Sequence, residues 1–260
     1  MLILLPPSEG KQPAASGAPF DAASLSFPEL TPERDIVLHA LARASSAEDA
    51  HQVLGVGASL AAEVARNLTL RDAPASPAHA VYTGVLYEAL GYRSMTPTQA
   101  GHANESIVVI SALWGAVGFS DRIPAYRLSM SVNLPGVGKL ATWWKPRLNA
   151  VLSERAGDGL VVDCRSSTYA AAWVPHPENT VSVSVFQLRG GVRKVVSHFA
   201  KHTRGEFARH LLTRRNHAPE SPAALLAAAR QKWDAELIPG TTRKAHQLNI
   251  ILPEDHSFAG

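Results

Sequence analysis

The sequence predicts a mixed α/β fold, in which a sheet core is surrounded by helices and carries a helix-hairpin-helix insertion. Two observations lead to this fold class. Continuous runs of β-branched and aliphatic residues, which are typical of strands buried on both faces, occur at 106–111, 160–163 and 181–186. Between about residues 31 and 94, helix-prone segments follow one another without such a run. We therefore expect a single domain over residues 1–260, with the helical insertion at about 31–94.

The first strand is predicted at residues 1–5, where an apolar run is ended by Pro6 and Pro7. The insertion begins with a helix at Thr31, because Thr is a common N-cap and Pro32 fits the first helical position. Three more helices complete the insertion, and their predicted ranges are 47–54, 58–68 and 80–90.

After the insertion, predicted strands and helices alternate. Two further strands are expected at 192–199 and 247–252, because both segments are rich in residues that favour strands. Thr203 and Ser221 are the expected capping residues of the last two helices. The helices predicted in this part lie near 139–154, 168–173, 203–215 and 222–236.

Composition excludes several classes of protein. The hydrophobic fraction of 46% and the charged fraction of 18% are typical of a soluble globular protein. No apolar run reaches the roughly 20 residues that span a bilayer, and the apolar start is too short for a signal peptide. A single cysteine, Cys164, excludes an internal disulfide and a zinc site built from several cysteines. We expect a cytoplasmic protein, and a monomer without a bound cofactor.

Positive charge is concentrated in one part of the chain. The formal net charge is only +3, yet Lys and Arg recur between Arg189 and Arg215, where Glu206 is the one acidic residue. A local excess of positive charge attracts phosphate groups more effectively than a moderate total charge does. The segment therefore predicts contact with a phosphate-bearing ligand; the alternative is a solvated basic face.

Residues 53–57 read VLGVG, a hydrophobic–glycine alternation between two short helices that is typical of a helix-hairpin-helix. Gly55 and Gly57 would allow backbone N–H groups and the start of the next helix to approach a DNA phosphate. The alternative is an ordinary αα-hairpin in which the glycines serve only the tight connection. A second copy at 133–142 lacks the first helix, because 127–132 alternates like a strand, and it is predicted to be a strand-to-helix turn.

Polar residues that follow two predicted strands are candidates for a ligand site. Ser8 and Lys11 follow the first strand, while Asp163 ends the strand at 160–163 and Tyr169 follows it. Such positions commonly line the ligand crevice of α/β sheets. A lysine there is a phosphate partner or, when desolvated, a nucleophile or base. The alternatives are a solvent-facing turn around Lys11 and helix capping by the hydroxyls before Tyr169.

His198 and His202 have the i, i+4 spacing that would place both on one helical face, as half of a metal site. No third ligand is identifiable in the sequence, and Lys201 between them would repel a cation. We therefore expect no bound metal.

Six motifs follow one another along nearly the whole chain: LLPPSEGK at 4–11, VYTGVLYEAL at 81–90, SALWGAVGFSDRIPAYRL at 111–128, TWW at 142–144, VVDCRSSTY at 161–169 and SHFAKHTRGEFARHLL at 197–212. In this order they resemble the motifs of one known family, the YaaA family of peroxide stress resistance proteins. The hairpin at 53–66 also lies where that family has its helix-hairpin-helix. Differences at 8–11 and 164–169 indicate a divergent branch.

The resemblance implies a compact α/β fold with a hairpin insertion and a positively charged cleft. It also implies cytoplasmic DNA binding of low sequence specificity and a role in limiting peroxide damage and free iron. The residues that it assigns to the cleft are Ser8, Lys11, Tyr82, Thr83, Gly84, Arg127, Asp163, Tyr169, Lys201 and Arg204.

The first functional hypothesis is a peroxide stress response protein that binds double-stranded DNA. Gly55 and Gly57 would contact phosphates, while Lys201, Arg204 and Arg209 would supply the electrostatic attraction. Ser8 and the Tyr82-Thr83-Gly84 segment would complete the phosphate-binding surface. A third hypothesis, iron handling through the two histidines, follows from the family's role more than from these residues.

The alternative hypothesis is an enzyme that acts on a nucleotide, a nucleoside or a nucleic-acid base by glycosidic cleavage or transfer. Its catalytic residues would be Lys11, Arg127, Asp163 and Tyr169, whose mixture of acid, base and donors exceeds what phosphate anchoring requires. Asp163 discriminates between the hypotheses, because a phosphate-binding cleft gains from a carboxylate only if that carboxylate orients Lys11 or Arg127.

Overall fold

The computed structural model describes residues 1–215 and 217–256, and its elements confirm the mixed α/β class. Its strands are β1 (Leu2–Leu5), β2 (Ser76–Pro77), β3 (Ile107–Ser111), β4 (Gly115–Gly118), β5 (Arg122–Ile123), β6 (Asn133–Leu134), β7 (Gly138–Lys139), β8 (Val161–Asp163), β9 (Thr180–Arg189), β10 (Val192–Val195), β11 (Asp234–Ile238) and β12 (His246–Leu252). Its α-helices are α1 (Thr31–Ser45), α2 (Ala50–Leu54), α3 (Ala61–Arg66), α4 (Ala78–Val81), α5 (Val85–Leu90), α6 (Pro97–Ser106), α7 (Leu140–Ala156), α8 (Ser167–Ala170), α9 (Ser197–Thr213) and α10 (Pro222–Ala229).

The central sheet has the strand order β11-β12-β9-β8-β1-β3-β4, and β10 extends it as a further partner of β9. The strands from β12 to β3 are parallel to one another, whereas β11 and β4 pair antiparallel at the two edges. β1 and β3 are buried along their whole length, which explains their continuous apolar sequences. Leu4 lies beside Asp163 in the parallel register, so the segments that follow β1 and β8 leave the sheet at the same end, where both strands have their carboxyl ends.

The insertion separates two strands that are neighbours in the sheet, β1 and β3. The helices predicted near residues 31, 47 and 58 are present with shifted bounds. Thr31 is the first residue of α1 rather than its N-cap, because a 3-10 turn at Pro28–Leu30 runs directly into the helix. The single helix predicted at 80–90 is wrong: the chain forms α4 and α5, separated where Gly84 adopts a φ of 91°.

The helix α6 is absent from the sequence prediction, although its N-terminus has a recognisable signal. The backbone N–H of Gln99 donates to the Thr96 hydroxyl, and the Thr96 N–H donates to the Gln99 side chain. This reciprocal pair is a capping box, and Pro97 follows it at the first helical position.

Two boundaries in the C-terminal half also differ from the prediction. The strand predicted at 192–199 ends at Val195, and α9 begins two residues later. Thr203, the predicted cap, is therefore buried inside α9. The end of the helix predicted at 222–236 lies instead in β11, because this segment pairs with β12. Pairing between distant segments overrides local propensity here.

Residues 127–132 are not part of a strand, yet their side chains alternate as predicted, with Leu128, Met130 and Val132 buried. The second glycine-rich segment forms the β6–β7 hairpin, and α7 follows it directly from Leu140, close to the predicted strand-to-helix turn. Within the described ranges, no helix combines the length and the apolar character needed to cross a membrane.

Candidate functional site

A cavity of about 350 Å³ opens where β1 and β8 end. The loop after β1, the start of α5, the helix α8 and the first half of α9 contribute its walls. The structure brings together in this cavity six of the residues predicted for the site: Ser8, Thr83, Gly84, Tyr169, Lys201 and Arg204. This is the position in which open α/β sheets bind their ligands.

A second cavity, of about 290 Å³, adjoins the first. Gly55 and its neighbours in the hairpin line one side of it, and Arg127 lies in its wall. The two cavities share Glu9 and Ser129 as lining residues, so they lie side by side between the hairpin and α9. We refer to the two adjoining cavities together as the cleft.

The loop after β1 is fixed to the segment that separates α4 from α5. The Thr83 N–H donates to the Ser8 hydroxyl over 2.9 Å, and that hydroxyl donates to the Gly10 carbonyl. Lys11 and Tyr82 form an isolated antiparallel bridge. The predicted residues Ser8 and Thr83 thus stabilise each other, and they hold this wall of the cleft in place.

The ammonium group of Lys11 is held by the same loop rather than lining the cavity. Nζ donates to the carbonyls of Ser8 (2.7 Å) and Glu9 (3.3 Å), and it lies 4.3 Å from the centroid of the Tyr126 ring. Burial, reinforced by the positive charge of Arg127, lowers the pKa of Lys11 to about 7, although Glu63 and Glu9 act in the opposite direction. A large fraction of Lys11 is therefore a neutral amine near neutral pH.

Tyr82, a predicted phosphate contact, is buried and belongs to a hydroxyl chain. Its hydroxyl lies 3.1 Å from that of Tyr126, which in turn lies 2.7 Å from the Ser111 hydroxyl. The backbone N–H groups of Leu113 and Trp114 donate to Ser111. Burial raises the pKa of both tyrosines well above the ordinary range, so both phenols stay protonated.

Asp163, a predicted catalytic residue, forms a buried ion pair with Arg165. Nε and Nη2 of Arg165 donate to the two carboxylate oxygens over 2.8 Å and 2.7 Å. The Arg165 side chain is 0% exposed, and it also donates to the carbonyls of Tyr169 and Trp173. The carboxylate therefore orients Arg165 rather than Lys11 or Arg127, the two partners considered in the sequence hypothesis.

This ion pair bears on Tyr169, because Arg165 holds the backbone of the short helix that carries it. The Tyr169 hydroxyl accepts a hydrogen bond from the Met130 N–H over 3.4 Å. Burial raises the pKa of Tyr169, so its phenol is protonated at neutral pH and can serve as a donor to a ligand in the cavity.

The predicted cations differ in what they contact. Arg127 pairs with Glu9 and with Glu63, each over 3.4 Å. Nε and Nη2 of Arg204 both donate to the Val183 carbonyl, which leaves part of the guanidinium for the cavity that it lines. Lys201 is exposed at the same cavity.

Arg209 lies outside the lining of the cleft. Its Nη1 donates to the carbonyls of Leu90 (3.0 Å) and Gly91 (2.8 Å) at the C-terminal end of α5. A cation at that position satisfies helix carbonyls that lack an intrahelical donor, so the fold itself accounts for this residue.

The two hairpin glycines have different roles in the fold. Gly55 ends α2 at φ 65° in a Schellman arrangement, since its N–H donates to Gln52 and the Val56 N–H donates to His51. Gly57 has φ −74°, and a Cβ there would meet only the Ser59 hydroxyl at 3.9 Å. Neither conformation nor packing requires glycine at position 57.

The start of the segment after the hairpin carries free donors. The backbone N–H groups of Gly57, Ala58 and Ser59 have no hydrogen-bond partner among the described residues, and all three residues are exposed. Gly57 is the N-cap of a 3-10 turn at Ala58–Leu60, whose first two residues are Ala58 and Ser59, and this turn continues into α3. Successive free N–H groups of this kind form an anion-binding surface.

Three residues that shape the site were not predicted as site residues from the sequence: Glu63, Tyr126 and Arg165. Arg165 was detectable as a cation two positions after Asp163, and Tyr126 lies in the motif that contains Arg127. Glu63 has no local signal, because its contact with Arg127 joins residues 64 positions apart.

His198 and His202, the proposed iron ligands, both lie on α9, and His202 Nδ1 is 3.5 Å from a carboxylate oxygen of Glu206. The described part of the chain contains no group of three or more His, Cys, Asp or Glu side chains placed to hold a metal ion. Cys164 is buried, and burial raises the pKa of its thiol to about 12.

The structure is that of an α/β protein with a cleft at the carboxyl ends of its strands and a helical hairpin beside it. Comparison with known proteins shows that the chain belongs to the YaaA family of peroxide stress proteins, since the family profile, described as peroxide stress protein YaaA, matches residues 1–235. The resemblance predicted from the motifs is thereby confirmed. The family description is consistent with a stress-related role for this chain.

Curated relatives match over most of their length. A UPF0246 protein of Streptomyces coelicolor is 46% identical over 98% of this chain and 100% of its own. A UPF0246 protein of Corynebacterium efficiens is 46% identical over 82% of this chain and 85% of its own. A UPF0246 protein of Cereibacter sphaeroides is 32% identical over 87% and 92%, respectively.

Proposed function

We propose that this chain is a peroxide stress protein that binds double-stranded DNA with low sequence specificity, and that the cleft and the hairpin hold the DNA backbone. The observation that carries the proposal is that the two cavities of the cleft adjoin: Gly55 and Arg127 line the cavity at the hairpin, and Lys201 and Arg204 on α9 line the other. A backbone with regularly spaced phosphates can contact both ends at once.

The charges along the cleft support a polyanionic ligand. Its lining contains three permanent cations, Arg127, Lys201 and Arg204. Glu9 is the only carboxylate among the described lining residues, and it is paired with Arg127. Arg127 also pairs with Glu63, so the uncompensated positive charge is that of Lys201 and Arg204. The exposed ammonium of Lys201 is available to a phosphate.

The hairpin supplies a second kind of contact. The free N–H groups of Gly57, Ala58 and Ser59 offer donors that bind phosphate irrespective of base sequence. The absence of a side chain at Gly57 lets a backbone approach closely, and the fold gives no other reason for glycine there. Low sequence specificity follows from contacts of this type.

The experiment is fluorescence anisotropy with a short labelled duplex, a single strand and mononucleotides at several salt concentrations. Lys201→Glu should weaken duplex binding by about 10-fold or more at low salt and reduce the slope of log Kd against log salt. Lys244→Glu, the same change on an exposed turn outside the cleft, is the matched control. Equal affinities of the two variants would remove the assigned surface.

The hairpin is tested by Ala58→Pro. Proline lacks the N–H and fits this position, because Ala58 is the first residue of the 3-10 turn and Gly57 before it is extended. Loss of one hydrogen bond to a charged phosphate should weaken binding by about 10-fold. Ala58→Ser keeps the N–H and serves as control; unchanged affinity of the proline variant would exclude the hairpin as the phosphate contact.

A second candidate function is favoured by one observation, the lowered pKa of Lys11. A neutral amine beside the cleft is a base or nucleophile, so we also propose an enzyme acting on a nucleotide, nucleoside or nucleic-acid base. Arg127, Asp163 and Tyr169 would assist, Asp163 through its pair with Arg165. Turnover of nucleosides, nucleotides or damaged duplexes that is lost in Lys11→Met, while duplex binding persists, would establish it; absence of turnover in the wild type would leave DNA binding alone.

A further inference from the structure

A basic cavity lies outside the cleft. Its volume is about 330 Å³, and its polar lining residues are His102, Ser106, Arg214, Arg215 and His217. The buried side chains of Leu211 and Leu212 form an apolar part of its wall. No acidic side chain of the described residues lines it. The cavity therefore combines positive charge with an apolar surface.

The basic cavity is separate from the cleft. Ser106 directly precedes β3, so the cavity lies at the amino end of that strand, whereas the cleft lies at the carboxyl ends of β1 and β8. The two spaces are at opposite ends of α9: Lys201 lines the cleft, and Arg214 follows the last helical residue. At about 1.5 Å per residue, these positions are roughly 20 Å apart.

The arginines of this cavity have unused donors. Nε of Arg214 is buried without a hydrogen-bond partner in the described part of the chain. Neither Arg214 nor Arg215 forms an ion pair with a described residue. The C-terminal end of a helix attracts cations, which accounts for arginines after α9. It does not account for a buried guanidinium N–H without an acceptor, which an anion in the cavity would supply.

We propose that the basic cavity binds a mononucleotide-sized phosphate ester, with its phosphate held by Arg214 and Arg215. Arginine presents paired donors that match phosphate oxygens, and two adjacent arginines can hold one phosphate group. The exposed histidines, His102 and His217, provide further donors at the rim. The volume lies within the range of small-molecule sites, and the two leucines offer an apolar surface to the organic part of the ester.

The test is calorimetric titration of the full chain with adenosine 5′-monophosphate, adenosine and inorganic phosphate. The nucleotide should bind the wild type and adenosine should not. Arg214→Gln/Arg215→Gln should weaken nucleotide binding by at least about 10-fold. As a control, Arg243→Gln/Lys244→Gln removes two consecutive basic residues on an exposed turn outside the cavity and should leave the nucleotide affinity unchanged.

Lys201→Gln separates this site from the cleft. Nucleotide binding that survives Lys201→Gln and is lost in the arginine variant supports the proposal. Binding that shows the opposite pattern, or is equal in all variants, overturns it. Binding of inorganic phosphate without the nucleotide also overturns it, as does duplex DNA binding that depends on Arg214 and Arg215 and is not competed by the nucleotide. Arg215→Gln alone, at an exposed side chain, tests the same point if the double variant has an altered melting temperature.

Discussion

Gly205 lies in the interior of α9 where this helix crosses α5, and we expect Gly205→Ala to destabilise the protein. In most helices this substitution is favourable, since alanine is preferred over glycine by about 1 kcal/mol. Here the methyl group would overlap the carbonyl oxygen of Leu86, and it would lie 2.9 Å from the carbonyl carbon and 3.0 Å from Cβ of Ala89. The obstacle is backbone, which cannot rotate away as a side chain can.

The magnitude follows from what must move. The carbonyl oxygen of Leu86 and the new methyl group reach ordinary van der Waals separation only if α5 and α9 move apart by about 1 Å, which is overpacking of a well-packed contact and costs about 1–3 kcal/mol or more. Because the overlap is severe and the obstacle is backbone, the upper end of this range applies, about 3 kcal/mol. After the helical preference of alanine, about 1 kcal/mol, is subtracted, we expect a net loss of about 2 kcal/mol in the free energy of unfolding. For a chain of this size, the melting temperature falls by several degrees.

Urea titration and thermal unfolding of Gly205→Ala measure this loss, and Gly101→Ala is the matched control. Gly101 lies inside α6 with no atom within 4 Å of its would-be Cβ, so alanine should stabilise the protein there by about 0.5–1 kcal/mol. Opposite signs for the two variants are the expected result. A Gly205→Ala protein as stable as the wild type would refute the reasoning about α5 and α9. Duplex affinity should fall too, because α5 and α9 form two walls of the cleft.

Three further predictions use the same denaturation assay. Between about pH 7 and pH 10, Lys11 of the unfolded chain holds a proton that the native residue has lost, so the free energy of unfolding of the wild type should rise with pH. Lys11→Met should lack that rise, and parallel plots of unfolding free energy against pH for the two proteins would contradict the lowered pKa. Asp163→Asn leaves the buried Arg165 without its anion and should cost about 3–5 kcal/mol, whereas unchanged stability with lost ligand binding would assign the carboxylate to the ligand. Tyr126→Phe removes the hydroxyl that joins Tyr82 to Ser111 and should lower the free energy of unfolding by about 1–3 kcal/mol. Unchanged stability would show that these hydrogen-bonded hydroxyls do not stabilise the fold.

The sequence was most informative for elements whose burial fixes a pattern. β1, β3 and β8 are buried at every position, which explains their apolar runs, whereas β9 alternates between buried and half-buried residues; the positions of all four strands follow from these patterns. The strand order does not follow, because pairing between β12 and β9 or β11 and β12 depends on contacts across the chain. Pairing with β12 also explains why residues 234–236, predicted as the end of a helix, lie in β11.

For the candidate site, Ser8 and Tyr169 were predicted from their positions after strands, and both line one cavity, whereas Lys11 and Asp163 do not. Thr83 and Lys201, which the family resemblance assigned to the cleft, line the same cavity. Their individual partners were not predictable. Asp163 stood out as an acid near cations, but only the folded geometry identifies Arg165 as its partner, since two of the Arg165 donors reach both carboxylate oxygens. Arg209 appeared to be part of a basic surface, while its donors reach the end of α5, a helix far away in sequence.

The hairpin shows why a motif should not be interpreted as one unit. Gly55 is explained by the fold, so Gly55→Ala should lower stability by about 1 kcal/mol through its left-handed φ, whatever the ligand. Gly57→Ala meets neither strain nor a close neighbour and should leave stability unchanged within about 0.5 kcal/mol. Its effect on duplex affinity is therefore a direct measure of how closely a ligand approaches this backbone. A loss of affinity without a loss of stability places a phosphate at the hairpin; retained affinity in Gly57→Ala confines the ligand to the Lys201 end of the cleft.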